Sequence, residues 1–461
     1  MNLLQVLFRK KNIGDDDTTE HHKMAKCLTA FDLTLLGIGA IIGAGIFVLT
    51  GVAAATKAGP AIILSYVLSG FVCALTAMAY AELSSAIGGC GSAYGYAYAG
   101  LGELIAWAIG WYLLLEYGVA CATVSIGWSG YVCDMLSVIG IHIPKILQLA
   151  PVDGGIMNLP AMFLVALITV LLCVGVKEST RFNNAIVFIK LITIVIFIAV
   201  ATRHFNIQNW HPFMPFGVHG IVGGAALVFF AYIGFDAVST AAEEAINPQR
   251  DMPRGIILSL LICTLVYIIV AGLLTGIRHY ELLNNAAPVS QSLLALGDHV
   301  AAGIISAGAI AGLTTVVLVM FYGLTRVILA ICRDGLLPNA LSKLNPTTRT
   351  PMRVILICGV VIALIAGFVN IGTVAALVNL GTLAAFLVVC LGVVSLRKSQ
   401  PDLPRPFKMP LSPWLPLLAA AICFYLMLSL SKITWLSFFI WTTLGLLIYF
   451  LFGIRKSKLA K

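Results

Sequence analysis

GIGAIIGAGIF, residues 37–47, places glycine at positions 37, 39, 43 and 45 within one of the most hydrophobic segments of the chain. Each glycine costs a helix interior about 1 kcal/mol relative to alanine. Unwound backbone that faced lipid would leave polar groups bare, which costs several kcal/mol for each group. A helix break here is therefore tolerable only beside a protected cavity, where the freed N–H and C=O groups can bind a ligand.

Helix packing is the alternative explanation for these glycines. Gly39 and Gly43 form a GxxxG pattern, and small residues at this spacing let membrane helices approach closely. A lone pattern of this kind would favour packing. Four glycines opposite a second interrupted segment, described below, favour a binding site.

The composition is that of a membrane protein. Of 461 residues, 60% are hydrophobic and 10% are charged, and the mean hydropathy is +1.01. Soluble domains have about 45–50% apolar and about 25% charged residues. The sequence has no CxxC or Cys/His spacing of the kind that binds zinc. We therefore expect an all-α membrane protein without a metal site.

Hydrophobic runs of about 20 residues predict the membrane spans, because such a helix crosses the roughly 30 Å hydrocarbon core. Twelve spans are predicted, at 31–56, 60–86, 97–133, 159–176, 183–201, 219–243, 254–277, 299–332, 352–369, 372–396, 411–430 and 433–453. Glycine or polar residues interrupt the first and the sixth span.

Basic residues are distributed unevenly between the two sides of the predicted membrane. If the N-terminus lies inside, 21 of the 28 Lys and Arg residues fall on the inner side and 5 in outer loops. Such a bias predicts a multi-pass protein of the plasma (inner) membrane with both termini cytoplasmic. The net charge of +9 then reflects topology and attraction to anionic lipid, and nucleic acid is not expected as a partner.

The spans divide into two sets of five. Since five is an odd number, the second set enters the membrane from the opposite side, which produces an inverted repeat. Interrupted segments at matching positions of two such halves are typical of a transporter binding site. The predicted parts are a cytoplasmic segment 1–30, repeats 31–201 and 219–396, peripheral helices 411–453 and a cytoplasmic tail 454–461.

The two interrupted spans suggest the ligand. Where the first span resumes, around Gly43, Ala44 and Gly45, bare N–H donors and the positive end of the helix dipole suit a carboxylate. The sixth span contains FFAYIGFD, residues 229–236. Carbonyl groups that suit an ammonium are predicted at Ile41, Phe230, Ala231 and Ile233. A ligand that carries both groups on one carbon is an α-amino acid.

Three motifs carry a family resemblance: GIGAIIGAGIFVLTG (37–51), FFAYIGFDAVSTAAEEAINPQRDMPRGI (229–256) and RDGLLP (333–338). With them the sequence resembles the amino acid–polyamine–organocation superfamily, in particular prokaryotic members of its cationic amino acid transporter branch. The resemblance covers about residues 27–455. It implies a five-plus-five inverted repeat with helices 1 and 6 unwound at the midplane, and two peripheral helices.

The resemblance also implies how the site works. The substrate carboxylate would meet the amides of Gly43, Ala44 and Gly45, and Phe230 would be a gate over the substrate. The expected function is import of L-amino acids, either cationic (Arg, Lys, ornithine) or small and neutral such as Ala, by proton-coupled symport with alternating access. Ala44 departs from the hydroxyl residue common in related carriers, which removes one hydrogen bond to the carboxylate.

Three ionisable residues stand out within the predicted spans, where an ionisable residue is a functional candidate because its insertion is costly. Lys190 is expected to take and release a proton, with snorkelling to the inner interface as the alternative. Asp236 is expected to accept a cationic side chain of the substrate or to fix the sixth span. Glu116 has two open readings, as a contact for a cationic substrate or its water network, and as an internal polar partner.

Other function classes fit less well. A membrane-embedded enzyme would need a nucleophile with a base, or metal ligands, and no HExxH or GxSxG occurs. A channel would usually show rings of charge. Exchange of amino acids or amines without protons is the alternative to symport. Sodium coupling is disfavoured because Lys190 would repel the ion, and no cofactor beyond the proton is expected.

Two further questions stay open at this stage. Thr315, Val319 and Met320 are candidates for setting pocket depth, since they lie on the eighth span. Nothing in the sequence supports an accessory single-span membrane partner.

Overall fold

A computed structural model describes residues 7–10, 28–87, 92–138, 140–174, 179–285, 287–343, 345, 348 and 350–460. Most of the predicted N-terminal segment 1–30 lies outside the described residues. Within this part of the chain the regular structure is helical, and the β-type pairing consists of one isolated bridge between Leu28 and Ala245. The expected all-α class is therefore confirmed.

Eight helical segments of the described chain are long and apolar enough to cross a membrane. Three further apolar helices are shorter, at 15 to 17 residues. These features are those of a membrane protein. The count of twelve spans, the inverted repeat and the domain limits stay predictions.

Fourteen helices of the described chain serve as reference points below. In chain order they are α1 (Ala30–Ile41), α2 (Ile62–Ile87), α3 (Ser92–Gly100), α4 (Glu103–Val138), α5 (Leu159–Val174), α6 (Ser179–Arg203), α7 (Gly217–Val228), α8 (Pro248–Ile277), α9 (Pro288–Ala295), α10 (His299–Arg333), α11 (Met352–Phe368), α12 (Ile371–Ser399), α13 (Trp414–Leu428) and α14 (Lys432–Ile448).

The first predicted span is interrupted within the glycine-rich stretch. Helix α1 ends at Ile41, and Ile42 has extended backbone with φ −73° and ψ 99°. The chain coils again as a π-helix over Gly45–Leu49 and continues helically to Ala58. The hydrophobic run is thus two helical pieces joined at residues 42–44.

The sixth predicted span is interrupted as well. After α7, one 3-10 turn covers Phe229–Tyr232, and Ile233 is extended with φ −58° and ψ 132°. Gly234 then has φ +116°, a conformation that L side chains rarely adopt, and a 3-10 helix follows over Asp236–Glu244. Glycine is needed at 234 to turn the chain between the two pieces.

The two interruptions pack directly against each other. A Cβ atom added to Gly45 would overlap the backbone of Ala231. A Cβ added to Gly234 would lie 2.9 Å from the carbonyl oxygen of Ala40. The absence of a side chain at Gly45 and Gly234 therefore allows the two backbones to touch.

The third predicted span, 97–133, has a different start in the structure. Residues 97–100 belong to the short helix α3, and α4 begins only at Glu103. Gly102 separates them with φ +106°. Hydropathy alone misses this boundary, because the residues on both sides of it are apolar.

Helix α14 is fastened to α4 by tryptophans. The indole N–H of Trp111 donates to the carbonyl of Trp441 at 2.8 Å, and that of Trp441 donates back to the Trp111 carbonyl at 3.1 Å. The two rings stack with centroids 4.5 Å apart. This reciprocal pair fixes the position of a peripheral helix along α4.

Replacement of Gly234 by alanine tests the sixth-span break. A non-glycine residue in such a conformation costs of order 1–3 kcal/mol, and its Cβ would also lie 2.7 Å from the Met320 methyl group. We expect Gly234→Ala to lower the midpoint of thermal unfolding in detergent by several degrees. Gly303→Ala is the control, because Gly303 is exposed on α10 with open space around its Cα. Equal midpoints for the two variants would contradict this account.

Candidate substrate site between two helix breaks

A small hollow lies where the two breaks meet α4 and α10. The space in which the centre of a water molecule fits is about 10 Å³, so the hollow has room for about one water molecule. The lining consists of Ala40, Ile41, Gly43, Ala44, Gly45, Ala120, Val124, Phe230, Ile233, Val316 and Met320. Six of the predicted substrate contacts are among these residues, namely Ile41, Gly43, Ala44, Gly45, Phe230 and Ile233. Ala231, also predicted, lies against Gly45 and outside this lining.

The side-chain wall of the hollow is entirely apolar. Helix α4 contributes Ala120 and Val124, and α10 contributes Val316 and Met320. Each pair is four residues apart, so its members lie on the same face of their helix. Since the lining has no hydroxyl, amide or charged side chain, polar recognition in the hollow depends on the main chain.

The main chain at the first break lines the hollow where a helical piece begins. Gly43, Ala44 and Gly45 start the resumed helical piece, where the first N–H groups of a helix have no intrahelical acceptor. The positive end of the helix dipole lies at the same place. This end of the hollow is chemically suited to a carboxylate.

Tyr267 connects the two breaks and was not identified from the sequence. Its hydroxyl lies 2.7 Å from the carbonyl oxygen of Ile41 and 2.7 Å from that of Ala231. The side chain is fully buried on α8, with its ring 5.3 Å from that of Tyr66. A hydroxyl has one hydrogen to donate. At any moment one of the two carbonyls therefore keeps accepting capacity for another donor, such as an ammonium.

Lys190 reaches the first break from α6. Its Nζ donates to the carbonyl oxygen of Gly39 at 2.8 Å and to that of Ile42 at 3.0 Å. These are carbonyls that the end of α1 leaves without partners. The side chain is fully buried, and α10 passes so closely that a Cβ on Gly312 would lie 3.0 Å from Lys190 Cε. The geometry is that of an internal ligand of the break and not of a lysine that snorkels to the interface.

Helix α6 also contacts the other end of α1. Thr29 caps α1 and forms a reciprocal capping box with Asp32. Asn184 of α6 donates to the Asp32 carboxylate at 3.1 Å. Because Asn184 and Lys190 hold the two ends of α1, the position of α1 depends on α6.

Asp236 and Glu116 lie next to each other, outside the lining of the hollow. Asp236 is fully buried and accepts a hydrogen bond from Tyr117 at 2.6 Å. Glu116 is also fully buried, and neither of its carboxylate oxygens has a hydrogen-bond partner among the described residues. The Thr382 hydroxyl, which lies near Glu116, donates to the Val378 carbonyl of its own helix at 3.1 Å. Neither carboxylate belongs to the wall of the hollow. The contacts of Asp236 and Glu116 with a cationic substrate therefore remain predictions.

Comparison with known proteins identifies the family. A family model described as amino acid permease matches residues 28–452. The chain belongs to the amino acid permease family. A methylthioribose transporter of Bacillus subtilis (strain 168) is 50% identical over 461 residues, which cover 99% of this chain and 100% of the relative. A branched-chain amino acid permease of the same organism is 49% identical over 460 residues, covering 98% and 99%.

A plant relative supports the branch to which the motifs point. The vacuolar cationic amino acid transporter 4 of Arabidopsis thaliana is 37% identical over 410 residues, covering 87% of this chain and 68% of the relative. The resemblance drawn from the motifs is thereby confirmed. The permease is a membrane-embedded transporter, not an enzyme, although its relatives are named for different substrates.

Three residues that line the hollow in the permease were not singled out by sequence reasoning. Ala120, Val124 and Val316 carry no chemical signal beyond their spacing on long apolar helices. Of the three residues suggested for pocket depth, Met320 lines the hollow, whereas Thr315 and Val319 do not. The Thr315 hydroxyl donates to the Gly312 carbonyl of its own helix at 2.8 Å.

Removal of one hydroxyl tests the connection between the two breaks. Tyr267→Phe keeps the buried ring and deletes the bond to Ile41 and Ala231, which leaves carbonyl groups without a donor. A buried unsatisfied group costs about 1–3 kcal/mol. We expect lower thermal stability in detergent and at least a tenfold loss of transport rate. Tyr425→Phe is the matched control, because Tyr425 is exposed on α13; a loss of the same size there would contradict the assignment.

Proposed function

We propose that the permease is a secondary active transporter that imports L-amino acids with apolar side chains by proton-coupled symport. The observation that carries the proposal is the hollow between the two breaks, whose polar groups come from the main chain and whose side-chain wall is apolar. Such a site recognises the groups that all α-amino acids share. It selects among them through the wall.

The substrate carboxylate would bind at the amides of Gly43, Ala44 and Gly45. The ammonium would bind on the carbonyl side, where Ile41 and Ala231 share the single Tyr267 hydrogen. The side chain would then point toward α4 and α10, against Val124, Val316 and Met320. Burial of a charged side chain there without a partner would cost several kcal/mol, which favours Ala, Val, Leu or Ile.

A cationic amino acid is the second candidate, and one observation favours it. Glu116 is a buried carboxylate without a hydrogen-bond partner, close to Asp236. A substrate guanidinium or ammonium that reached past the wall would supply the missing positive charge. The name of the plant relative agrees with this candidate, whereas that of the branched-chain relative agrees with the first.

The size of the hollow supports alternating access as the mode of transport. Room for about one water cannot hold an amino acid, so the walls must separate before a substrate enters. The pieces of the first and sixth spans are the elements to move, because only a few residues of irregular backbone join each piece to its other half. Phe230 lies in the lining, where it can serve as the gate that the resemblance implies.

Lys190 is the proposed proton site. As an ammonium it donates two charge-assisted hydrogen bonds to carbonyls at the end of α1. Loss of the proton removes the charge and weakens both bonds, which releases α1 from α6. Release and rebinding of one proton would thereby accompany the motion of α1. The same positive charge disfavours sodium as the coupling ion.

The proposed location is the plasma membrane with both termini cytoplasmic. It rests on the excess of Lys and Arg in the segments on one side of the membrane. In this orientation α1 is the inner half of the first span, and residues 43–45 begin its outer half.

Uptake into proteoliposomes tests the function. Labelled Leu, Val, Ala, Arg and methylthioribose are offered with the outside acidic, and again without a pH gradient. We expect saturable uptake of Leu, Val or Ala that the gradient stimulates. Uptake only in the presence of internal amino acid would indicate exchange. Preference for Arg or for methylthioribose would overturn the apolar amino acid assignment.

Substitution of Lys190 tests proton coupling. Lys190→Ala removes the titratable group, so we expect substrate binding to remain measurable while uptake driven by a pH gradient is abolished. Lys432→Ala is the control, because Lys432 is an exposed lysine at the start of α14. Undiminished pH-driven uptake by Lys190→Ala would rule out the proposed role.

Truncation of Met320 tests whether the apolar wall of the hollow selects the substrate side chain. Met320→Ala removes three heavy atoms from the lining and enlarges the hollow. One methylene of pocket space is worth about 10–200-fold in specificity, so we expect kcat/KM for Phe relative to Val to rise at least tenfold. Val319→Ala is the matched control on the adjacent residue, which does not line the hollow. An equal shift in both variants would remove Met320 from the selectivity account.

A further inference from the structure

Glu103, the first residue of α4, collects hydrogen bonds from distant parts of the chain. Its carboxylate is fully buried and lies far along α4 from the hollow. Arg9 forms a bidentate pair with it, at 2.7 Å for both contacts. The hydroxyl groups of Tyr98, Tyr449 and Ser457 donate to the same carboxylate, at 2.7, 3.0 and 2.5 Å. We call these five residues the Glu103 cluster.

The N-terminal residues of the cluster are held by the backbone as well. The Glu103 amide donates to the Arg9 carbonyl at 3.0 Å. Phe8 packs on Gly102 so closely that a Cβ there would lie 2.8 Å from Phe8 Cα. Arg9 also donates to the carbonyl of Ile454 at 3.4 Å. Phe8 and Arg9 are therefore bound between the start of α4 and the C-terminal segment.

The C-terminal segment is bound to the end of α10 by a second set of contacts. The Lys458 amide donates to the carbonyl of Asp334, the residue that caps α10, at 3.0 Å. A Cβ on Gly335 would overlap the carbonyl of Lys456. Tyr94 donates to the Asp334 carboxylate at 2.7 Å. Helices α4 and α10, which both supply the wall of the hollow, are thus tied together at one end.

Helix α3 links this tie to the sixth-span break. On one face, Tyr94 and Tyr98 are four residues apart and bond to the two carboxylates. On the other face, the Tyr96 ring pairs with that of Tyr80, which packs edge-on against Phe235 with centroids 5.6 Å apart. Phe235 directly follows Gly234, the turning point of the break. Helix α3 also packs on the 3-10 helix that follows Phe235.

We propose that α3, held by the Glu103 cluster and Asp334, is a latch that keeps the inner piece of the sixth span against α4 and α10. The latch stabilises the form in which the inner side of the permease is closed, and its release accompanies inward opening. The proposal rests on the proposed alternating-access function. It assigns a role in the transport cycle to both chain termini, which contribute no residue to the hollow.

Helix α3 can act as a latch because one of its faces is hydrogen-bonded to Glu103 and Asp334 and the other packs toward the sixth-span break. When Tyr94 and Tyr98 are bonded, α3 cannot move away from the sixth span without breaking two hydrogen bonds to carboxylates, which are stronger than bonds between neutral groups. Loss of these bonds shifts the equilibrium toward the inward-open form. A carrier whose outward form is less populated binds external substrate more weakly and internal substrate more tightly.

The test variant is Tyr94→Phe combined with Tyr98→Phe, which keeps both rings and deletes both hydroxyls. Uptake into cells and efflux from preloaded cells are measured with the amino acid that the wild type transports. We expect the half-saturation concentration for external substrate to rise at least threefold and that for internal substrate to fall at least threefold. Tyr425→Phe is the control. Unchanged half-saturation on both sides, or a change in maximal rate alone, would overturn the latch.

A second measurement needs no transport. Cys332 is fully buried near the end of α10, two residues before Asp334, and Cys423 is buried on α13. Maleimide labelling of each cysteine is followed by peptide mass spectrometry. We expect labelling of Cys332 to be at least three times faster in the double variant and that of Cys423 to be unchanged. Equal rates for Cys332 in variant and wild type would overturn the latch even if the transported substrate were not an amino acid.

A second variant covers the case in which the tyrosine variant does not fold. Arg9→Gln combined with Glu103→Gln removes the ion pair without leaving a buried unpaired charge. The same opposite changes in half-saturation and the same faster labelling of Cys332 are expected. Wild-type uptake alone tests the proposed function, so failure of that function is separated from failure of the latch.

Discussion

Backbone groups that a membrane helix leaves unpaired must be paired by something else, and this requirement organises the permease. At the first break, Lys190 binds the carbonyls of Gly39 and Ile42, and Tyr267 binds that of Ile41. Both side chains come from other helices. An interrupted helix is therefore stable only while α6 and α8 stay in place, which makes the break sensitive to events on those helices.

The same requirement connects substrate and proton chemically. The carbonyls that Tyr267 bridges belong to the two interrupted segments. The Gly39 and Ile42 carbonyls that Lys190 binds lie on either side of Ile41 along the first break. A ligand ammonium and the Lys190 ammonium would thus draw on neighbouring acceptors of one interrupted segment. A change at either acceptor set alters how firmly α1 is held. This shared backbone is the physical basis for the proposed coupling.

Close approach is the second constraint. Gly45 lies on Ala231, and Gly234 lies on Ala40, with no room for a Cβ at either glycine. The hollow is small because these backbones touch, and any opening has to separate them. The ties around Glu103 act at the far end of the same helices, so the wall of the hollow and the chain termini belong to one connected set of contacts.

The sequence by itself determined the all-α membrane class, the family and the two interrupted spans, because glycine clusters and hydropathy are local properties. It also pointed to Lys190, which is a charge within an apolar span, and to six residues of the hollow, which lie at the two interrupted stretches. Tertiary structure alone decided that Tyr267 bridges the breaks, that Ala120, Val124 and Val316 form the wall, and that Asp236 and Glu116 lie behind it. These facts depend on which faces of long apolar helices meet, and one sequence does not set the rotation of such helices. The Glu103 cluster, with partners up to 354 residues apart, is a contact of the same non-local kind.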